Sequence, residues 1–360
     1  MASSVDFFYS HIFRCYSHFF THISVRISGC YISGGRSLSN TSIIAPQPIT
    51  PSFSGHQTFP FRYTWLKKGI DAVTEDSTVF SSENASVTLG VGKNMVDAIR
   101  HWCRASRLIE EGTGQPTQLI MQLNEQKTVY HRGQFAPTYL GSTIFGENGF
   151  DPYLDDPATL WLIHWQIATN TNQATAWYWA FNILRGNQFT PPIFAREVYK
   201  WARQQKQSMR PVSDNTLRRD VNCFIRTYCQ SRHSDSVVEE TFDCPLVELN
   251  LIAELPDGDG YEFQRGNKET LPIEVVAWTL DDFWKSRFSW RESLSFSDVM
   301  YAPSSPGRVF RLDEDTMTTY LENLEQLTDG ALQYDETSGL KQVYRHKGLN
   351  QMELLERYYG

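Results

Sequence analysis

Apolar residues recur at helical spacing in several stretches of this chain, with polar residues filling the faces between them. In VTLGVGKNMVDAIRHWCRASRLIEEG, Met95, Ile99, Trp102 and Cys103 form one such stripe, opened at Gly92 or Asn94 after a break at Gly90. Lys93, Asp97, Arg100 and Arg104 fall largely off the stripe, leaving a polar side for phosphate or base contact, or simply for solvent. Just upstream, GHQTFPFRYTWLKKGIDAV predicts a Pro-bent entry and a helix carrying Trp65, Leu66, Ile70 and Val73. Arg62, Lys67 and Lys68 are candidate phosphate contacts there, with a solvated face as the alternative. Downstream, Leu108-Ile109, a Gly/Gln/Thr-rich turn, strand-like LIMQLNEQKTVY and then QFAPTYLGSTIFG complete the element order of a winged helix.

DDPATLWLIHWQIATN and ATAWYWAFNIL are apolar on more than one face and predict a buried helical hairpin, with Pro157 in its first turn. His164 and Trp161, Trp165, Trp177 and Trp179 lie at helical rather than strand spacing, which favours core packing over a base-stacking platform. FTPPIFAREVYKWARQQK follows, with Thr190 as N-cap, Pro191 at the first helical position and Phe194, Val198 and Trp201 along one face. VSDNTLRRDVNCFIRTYCQ then starts at Ser213 and sends Leu217, Val221, Phe224, Ile225 and Tyr228 inward. Asn215, Arg218, Arg219, Asn222 and Arg226 are left outside, as a DNA recognition helix would place them: Asn suits adenine, Arg guanine or phosphate. The alternative is a basic helix docking the acidic end of the same molecule.

The remaining third reads as FDCPLVELNLIAEL, a linker into a short helix or strand, then two strand-like pieces about an Asp-Gly turn. RLDEDTMTTYLENLEQLTDG has Asp313 as N-cap and Met317, Tyr320, Leu321, Leu324 and Leu327 inward, before two short strands about Gly339. The fold class expected is mainly α with small antiparallel β-hairpins, as tandem winged-helix-like modules around a helical core. The divisions expected are a winged-helix-like domain at 53–150, a helical core with a basic helix-turn-helix-like module at 151–232, and an acidic winged-helix-like domain at 233–360. Residues 1–52, with Asp6 their sole acid, are excluded as an unstructured or mis-assigned extension, a transit peptide being the other reading.

Charge modifies this picture. A net charge of -8 argues against nucleic acid, but residues 185–232 hold ten Lys+Arg against three Asp+Glu, and 233–360 hold eleven against twenty-five. The basic middle suits DNA, and the acidic end suits a basic partner or plain solvation. Six cysteines without a CxxC pair or zinc spacing imply a reduced, cytoplasmic protein, and no run of about eighteen apolar residues predicts a membrane helix.

Catalytic signals are weak. His56 is a candidate base beside Phe59 and Phe61, although a hydrogen-bonded structural role is the commoner fate of a lone His. Asp257, Asp259, Glu262 and Glu274 cluster near Gly and strand signals and would be the carboxylates of a metal-dependent nuclease. The Asp…Glu-x-Lys pattern fails, however, because Gln264 stands where Lys is needed. Gly90–Lys93 is no phosphate loop, since Val87 and Asn94 occupy required positions. No cofactor motif is evident; Mg²⁺ or Mn²⁺ would be required only by a nuclease.

FSGHQTFPFRYTWLKKG and LGVGKNMVDAIRHWC, followed in order by DDPATLWLIHWQIA and FDCPLVELNLI, resemble four signatures of the bacterial family catalogued as domain of unknown function 4007. The resemblance covers about residues 53–355. It implies a DNA-acting member of a DNA phosphorothioation or phage-defence system, similar to the nicking component of the single-strand version of that system. The implied partners are double-stranded DNA and other proteins of a modification or defence operon, with homo-oligomerisation left open. If such a protein nicks, a metal-bound water or a Tyr attacks phosphorus while nearby Arg or Lys offsets the developing charge. A non-enzymatic adaptor or transcriptional regulator, recruiting a partner through its acidic end, is the rival expectation.

Overall fold

The helical periodicities become helices in a computed structural model that describes residues 49–114, 129–206, 208–229 and 244–360. The first is α1, Tyr63–Glu75, with Trp65, Leu66, Ile70 and Val73 buried. A short helix, α2 (Ala85–Leu89), ends at Gly90, whose left-handed backbone (φ 62°) suits a residue without Cβ. Gly92 then caps α3, Lys93–Ala105. Its buried stripe is Val96, Ile99, Trp102 and Cys103, while Met95 is only partly buried. Strands β1 (Ile109–Glu111) and β2 (Phe135–Pro137) pair antiparallel, Glu110 opposite Ala136. The strand expected at 119–130 falls almost wholly outside the described residues.

After α4 (Tyr139–Phe145), the two apolar helices form the centre of the core. Asp156 caps α5 (Pro157–Ala168) by accepting the Ala158 N–H. Every residue of α5 after Pro157, and every residue of α6 (Thr175–Asn182), is buried. Trp161, Trp165, Trp177 and Trp179 are 0–4% exposed, so they are core residues and offer no platform to a base. His164 has both ring nitrogens occupied, Nε2 donating to the Val309 carbonyl at 3.0 Å and Nδ1 accepting from the Tyr228 hydroxyl at 2.8 Å. Burial drives its pKa down to about 3.

The two-residue strand β3 (Gln188–Phe189) leads into α7 (Pro191–Gln205) and, after a turn, α8 (Asp214–Tyr228). Thr190 holds the N-cap position of α7 without a side-chain bond, whereas Ser213 caps α8 by accepting the Thr216 N–H at 3.1 Å. The strands about the Asp-Gly turn are β4 (Ile252–Glu254) and β5 (Tyr261–Phe263), and β3 adds to β5, giving the order β3-β5-β4.

In the last third, α9 (Ile273–Arg287) precedes β6 (Ser293–Ser295) and the helices α10 (Phe296–Tyr301), α11 (Pro306–Val309), α12 (Glu314–Glu322) and α13 (Leu324–Leu327). Strands β7 (Leu332–Thr337) and β8 (Leu340–Arg345) join through Ser338 and Gly339, both at positive φ, and α14 (Gln351–Tyr359) closes the chain. The expected two-stranded hairpin is a three-stranded sheet of order β6-β8-β7. Like β3, β6 is too short to show a period-two pattern.

About half the described chain is helical, with small antiparallel sheets. Residues Gln47–Gly360 form one compact unit, and one buried apolar cluster runs from Phe61 to Leu355. Chain contact begins ahead of residue 53: the Ser52 N–H donates to Thr175 Oγ1 at 2.9 Å and the Thr50 N–H to Asn172 Oδ1 at 2.8 Å. Among the described residues no helix is long and apolar enough to cross a membrane.

Candidate nucleic-acid interface

Helix α8 has the amphipathic division that its sequence predicts. Leu217, Val221, Phe224, Ile225 and Tyr228 are buried, and Asn215, Arg218, Arg219, Asn222 and Arg226 are all exposed. Asn215, Arg219, Asn222 and Arg226 recur at intervals of four, three and four, with Arg218 beside them, so the five share one face, a polar row about 16 Å long. Among the described residues, none of Arg218, Arg219 and Arg226 is paired with a carboxylate. The three guanidiniums retain donors for phosphate oxygens or base edges, and the two amides are free to read adenine.

One acidic residue lies on the buried side of α8. Asp220 Oδ1 accepts from His56 Nε2 at 2.9 Å and from the Ser54 N–H at 2.8 Å. His56 Nδ1 accepts the Thr58 N–H at 3.0 Å, so the ring proton sits on Nε2 and donates to Asp220. With 1% exposure and both nitrogens engaged, His56 has no nitrogen free to take a substrate proton; it pins the Phe53–Phe59 segment to α8. That segment is bent sharply: Ser54, Gln57 and Thr58 all adopt positive φ, a conformation that non-glycine residues hold only when their surroundings enforce it.

His56 also touches α3. Its ring stacks on Trp102 at 6.2 Å and meets His101 edge-on at 5.6 Å and Trp177 at 5.7 Å. His101 is buried, and burial, then the nearby His56, Arg104 and Arg100, pull its pKa to about 3. A Cβ on Gly55 would stand 2.3 Å from His101 Nδ1, which requires glycine there. The two helices thus meet at a buried aromatic knot.

The cations of the amino-terminal module are mostly engaged within the protein. Arg100 pairs with Asp97 at 2.8 Å; Arg104 pairs with Glu111 at 3.3 Å and covers the Phe135 ring. Lys67 pairs with Asp71 at 2.6 Å, Lys68 donates to the Leu89 carbonyl, and Arg62 covers Trp65. Lys93, at the exposed start of α3, is the member of that set with no partner among the described residues.

The candidate metal carboxylates stay apart in role. Asp257 and Asp259 share an exposed turn, where Asp257 accepts the Asp259 N–H at 3.2 Å. Glu262 lies in β5 and accepts from Asn187 at 3.0 Å, while Glu274 sits in the first turn of α9. Among the described residues no three His, Cys, Asp or Glu side chains gather to hold a metal ion. A turn tip, a strand and a helix start carry these four carboxylates.

Sequence reasoning missed Asp220 and Arg107. Asp220 occupies an inward position of an amphipathic helix, the signal that a buried partner awaits it. Arg107 has φ 52° and clamps the end of α5 through Gln166 Oε1 at 2.8 Å and the Thr169 carbonyl at 3.0 Å; nothing in its neighbourhood in sequence marks it.

Two solved structures resemble the whole fold. One, described as an SspB crystal structure, is 28% identical with a TM-score of 0.73, covering 86% of this chain and 88% of that one. The other, a magnesium ion-bound SspB crystal structure, is 27% identical with a TM-score of 0.72 over the same shares. Among curated proteins no sequence matches. A family model described as Protein of unknown function (DUF4007) matches residues 53–359, and the chain belongs to that family.

Proposed function

We propose that this protein is the DNA-binding component of a bacterial DNA phosphorothioation or phage-defence system and that it grips duplex DNA through α8. The observation that carries the reading is the row of Asn215, Arg218, Arg219, Asn222 and Arg226, exposed and without acidic partners among the described residues. Lys93 extends the candidate surface; Arg100 and Arg104 would have to leave their ion pairs to join it. Likeness to SspB, one structure of which holds magnesium, supports the link to such a system and raises metal-dependent nicking as its activity. No group of three or more His, Cys, Asp or Glu side chains gathers among the described residues, so a magnesium ion would have to be held by fewer carboxylates together with water and DNA phosphate.

The test is plasmid relaxation with Mg²⁺ or Mn²⁺ and with EDTA, comparing the protein with its Arg218→Ala/Arg219→Ala variant. Metal-dependent open circles that the variant fails to produce are expected of a nicking enzyme held by α8. A plasmid that is bound but stays supercoiled under all conditions favours an adaptor. That second reading has its own support: Glu314, Asp315, Glu322 and Glu325 are exposed around α12 and α13, a surface suited to a basic protein partner.

A further inference from the structure

Residues 233–360 hold twenty-five acids against eleven cations, so every cation there could find a carboxylate. Several do: Lys285 and Arg345 approach Asp281 at 2.5 and 3.6 Å, Arg291 approaches Asp298, and Arg357 bridges Asp329 and Glu353. Four arginines do not. Arg265, Arg287, Arg308 and Arg311 make no ion pair among the described residues, yet Arg265, Arg308 and Arg311 lie within electrostatic reach of one another and Arg287 and Arg308 both approach Tyr178.

Neutral oxygens hold them in place. Arg311 donates to the Ala180 carbonyl at 2.6 Å and lies 3.7 Å over the Phe263 ring. Arg308 donates to the Leu184 carbonyl at 3.1 Å, and Arg265 to the Leu312 carbonyl at 3.2 Å. Arg287 reaches Tyr178 Oη at 3.4 Å and Ser304 Oγ at 3.2 Å, and the Gly266 N–H bonds the Arg311 carbonyl at 3.0 Å, tying two of the segments together. Asp313, the acid nearest in sequence, spends Oδ1 on the Thr316 N–H as a helix cap and lies within electrostatic reach of Arg265 and Lys268 without forming an ion pair with either. The Nε atoms of Arg308 and Arg311 are buried with no hydrogen-bond partner.

Burial, then the neighbouring Arg308 and Arg265, pull the Arg311 guanidinium down to about 9. Burial is also the main cause lowering Arg308, and Arg265 and Arg185 add to it. Like charges partly withdrawn from water repel, and the arrangement costs stability unless an anion joins it. Neighbouring forked guanidiniums suit the oxygens of a phosphate group.

We infer that Arg265, Arg287, Arg308 and Arg311 form a site for one phosphate group, supplied by a DNA phosphodiester or by free phosphate. The site is separate from α8 and does not rest on the reading of that helix.

Melts of the full chain in sodium phosphate and in sodium chloride of equal ionic strength test it, alongside Arg265→Gln, which alters an exposed side chain, and Arg308→Lys, which keeps the charge but loses the fork. The expected result is a midpoint that rises with phosphate beyond the chloride control, a rise that both variants diminish and Arg218→Ala/Arg219→Ala leaves intact. Anisotropy of a labelled duplex separates the sources: weakened duplex binding by Arg265→Gln identifies a phosphodiester, and unchanged duplex binding with a lost phosphate response identifies free phosphate. Variants matching the wild type in both assays overturn the site, whatever α8 does.

Discussion

Helices α3 and α8 look interchangeable on paper, since each follows a turn, buries a regular apolar stripe and carries arginines on its polar side. In the fold they differ in what those arginines do. Arg100 and Arg104 of α3 are neutralised by Asp97 and Glu111, whereas Arg218, Arg219 and Arg226 of α8 stand exposed. The only acid inside α8 beyond its first residue, Asp220, is turned into the core and used by His56. Counting cations therefore overstates one surface and describes the other fairly, because a carboxylate a few ångströms away is already in place while a phosphate must still be bound.

The change with the largest expected effect removes the tie between the two helices. His56→Ala leaves the Asp220 carboxylate buried with only the Ser54 N–H, a loss expected to cost about 3 kcal/mol. Urea unfolding would register it as a lower midpoint, and an unchanged midpoint would mean that the Phe53–Phe59 segment is held by other contacts.

Next comes the contrast in DNA binding. Arg218→Ala/Arg219→Ala should weaken duplex affinity about tenfold or more and reduce the salt slope by about two. Arg100→Ala/Arg104→Ala should change neither appreciably. Equal losses in both double variants would erase the distinction between the helices.

The buried histidines predict the pH response of the core. His101 and His164 have folded pKa values near 3 against an ordinary 6.5. The unfolded chain takes up their protons below pH 6.5 and the folded chain does not, so stability present above 6.5 falls as pH drops toward 4. The loss is about 1.4 kcal/mol per pH unit for each ring. Urea midpoints at pH 7, 6 and 5 should fall accordingly, and His101→Asn should flatten the decline. A flat profile in the unaltered protein would show that these rings are reached by solvent.

The smallest effect would sharpen the contrast from the other side. Glu111→Gln frees Arg104 from its ion pair and should strengthen duplex binding about twofold if α3 lies near the DNA at all. No change would leave α8 as the sole grip among these two helices.

Much of this architecture could be read along the chain. Asp156, Ser213 and Asp313 cap helices where their positions indicate, the tryptophans of α5 and α6 are core because they recur at helical spacing, and Gly339 turns a hairpin. Even the Asp97–Arg100 pair is legible, being three residues apart on a helix. The strands β3 and β6 were not, because two or three residues show no period, and the segment 115–128 lies outside the described residues.

Local interactions span three or four residues, so periodic faces, caps and turns are properties of the sequence itself, and with them the mainly helical fold class. Neutralisation and convergence are not local. His56 finds Asp220 across 164 positions, Arg265 reaches Leu312 across 47, and Arg311 reaches Ala180 across 131. Which charges are spent, which stay free and which gather without an ion pair was decided when distant segments packed, because electrostatic pairing depends on distance in space rather than along the chain.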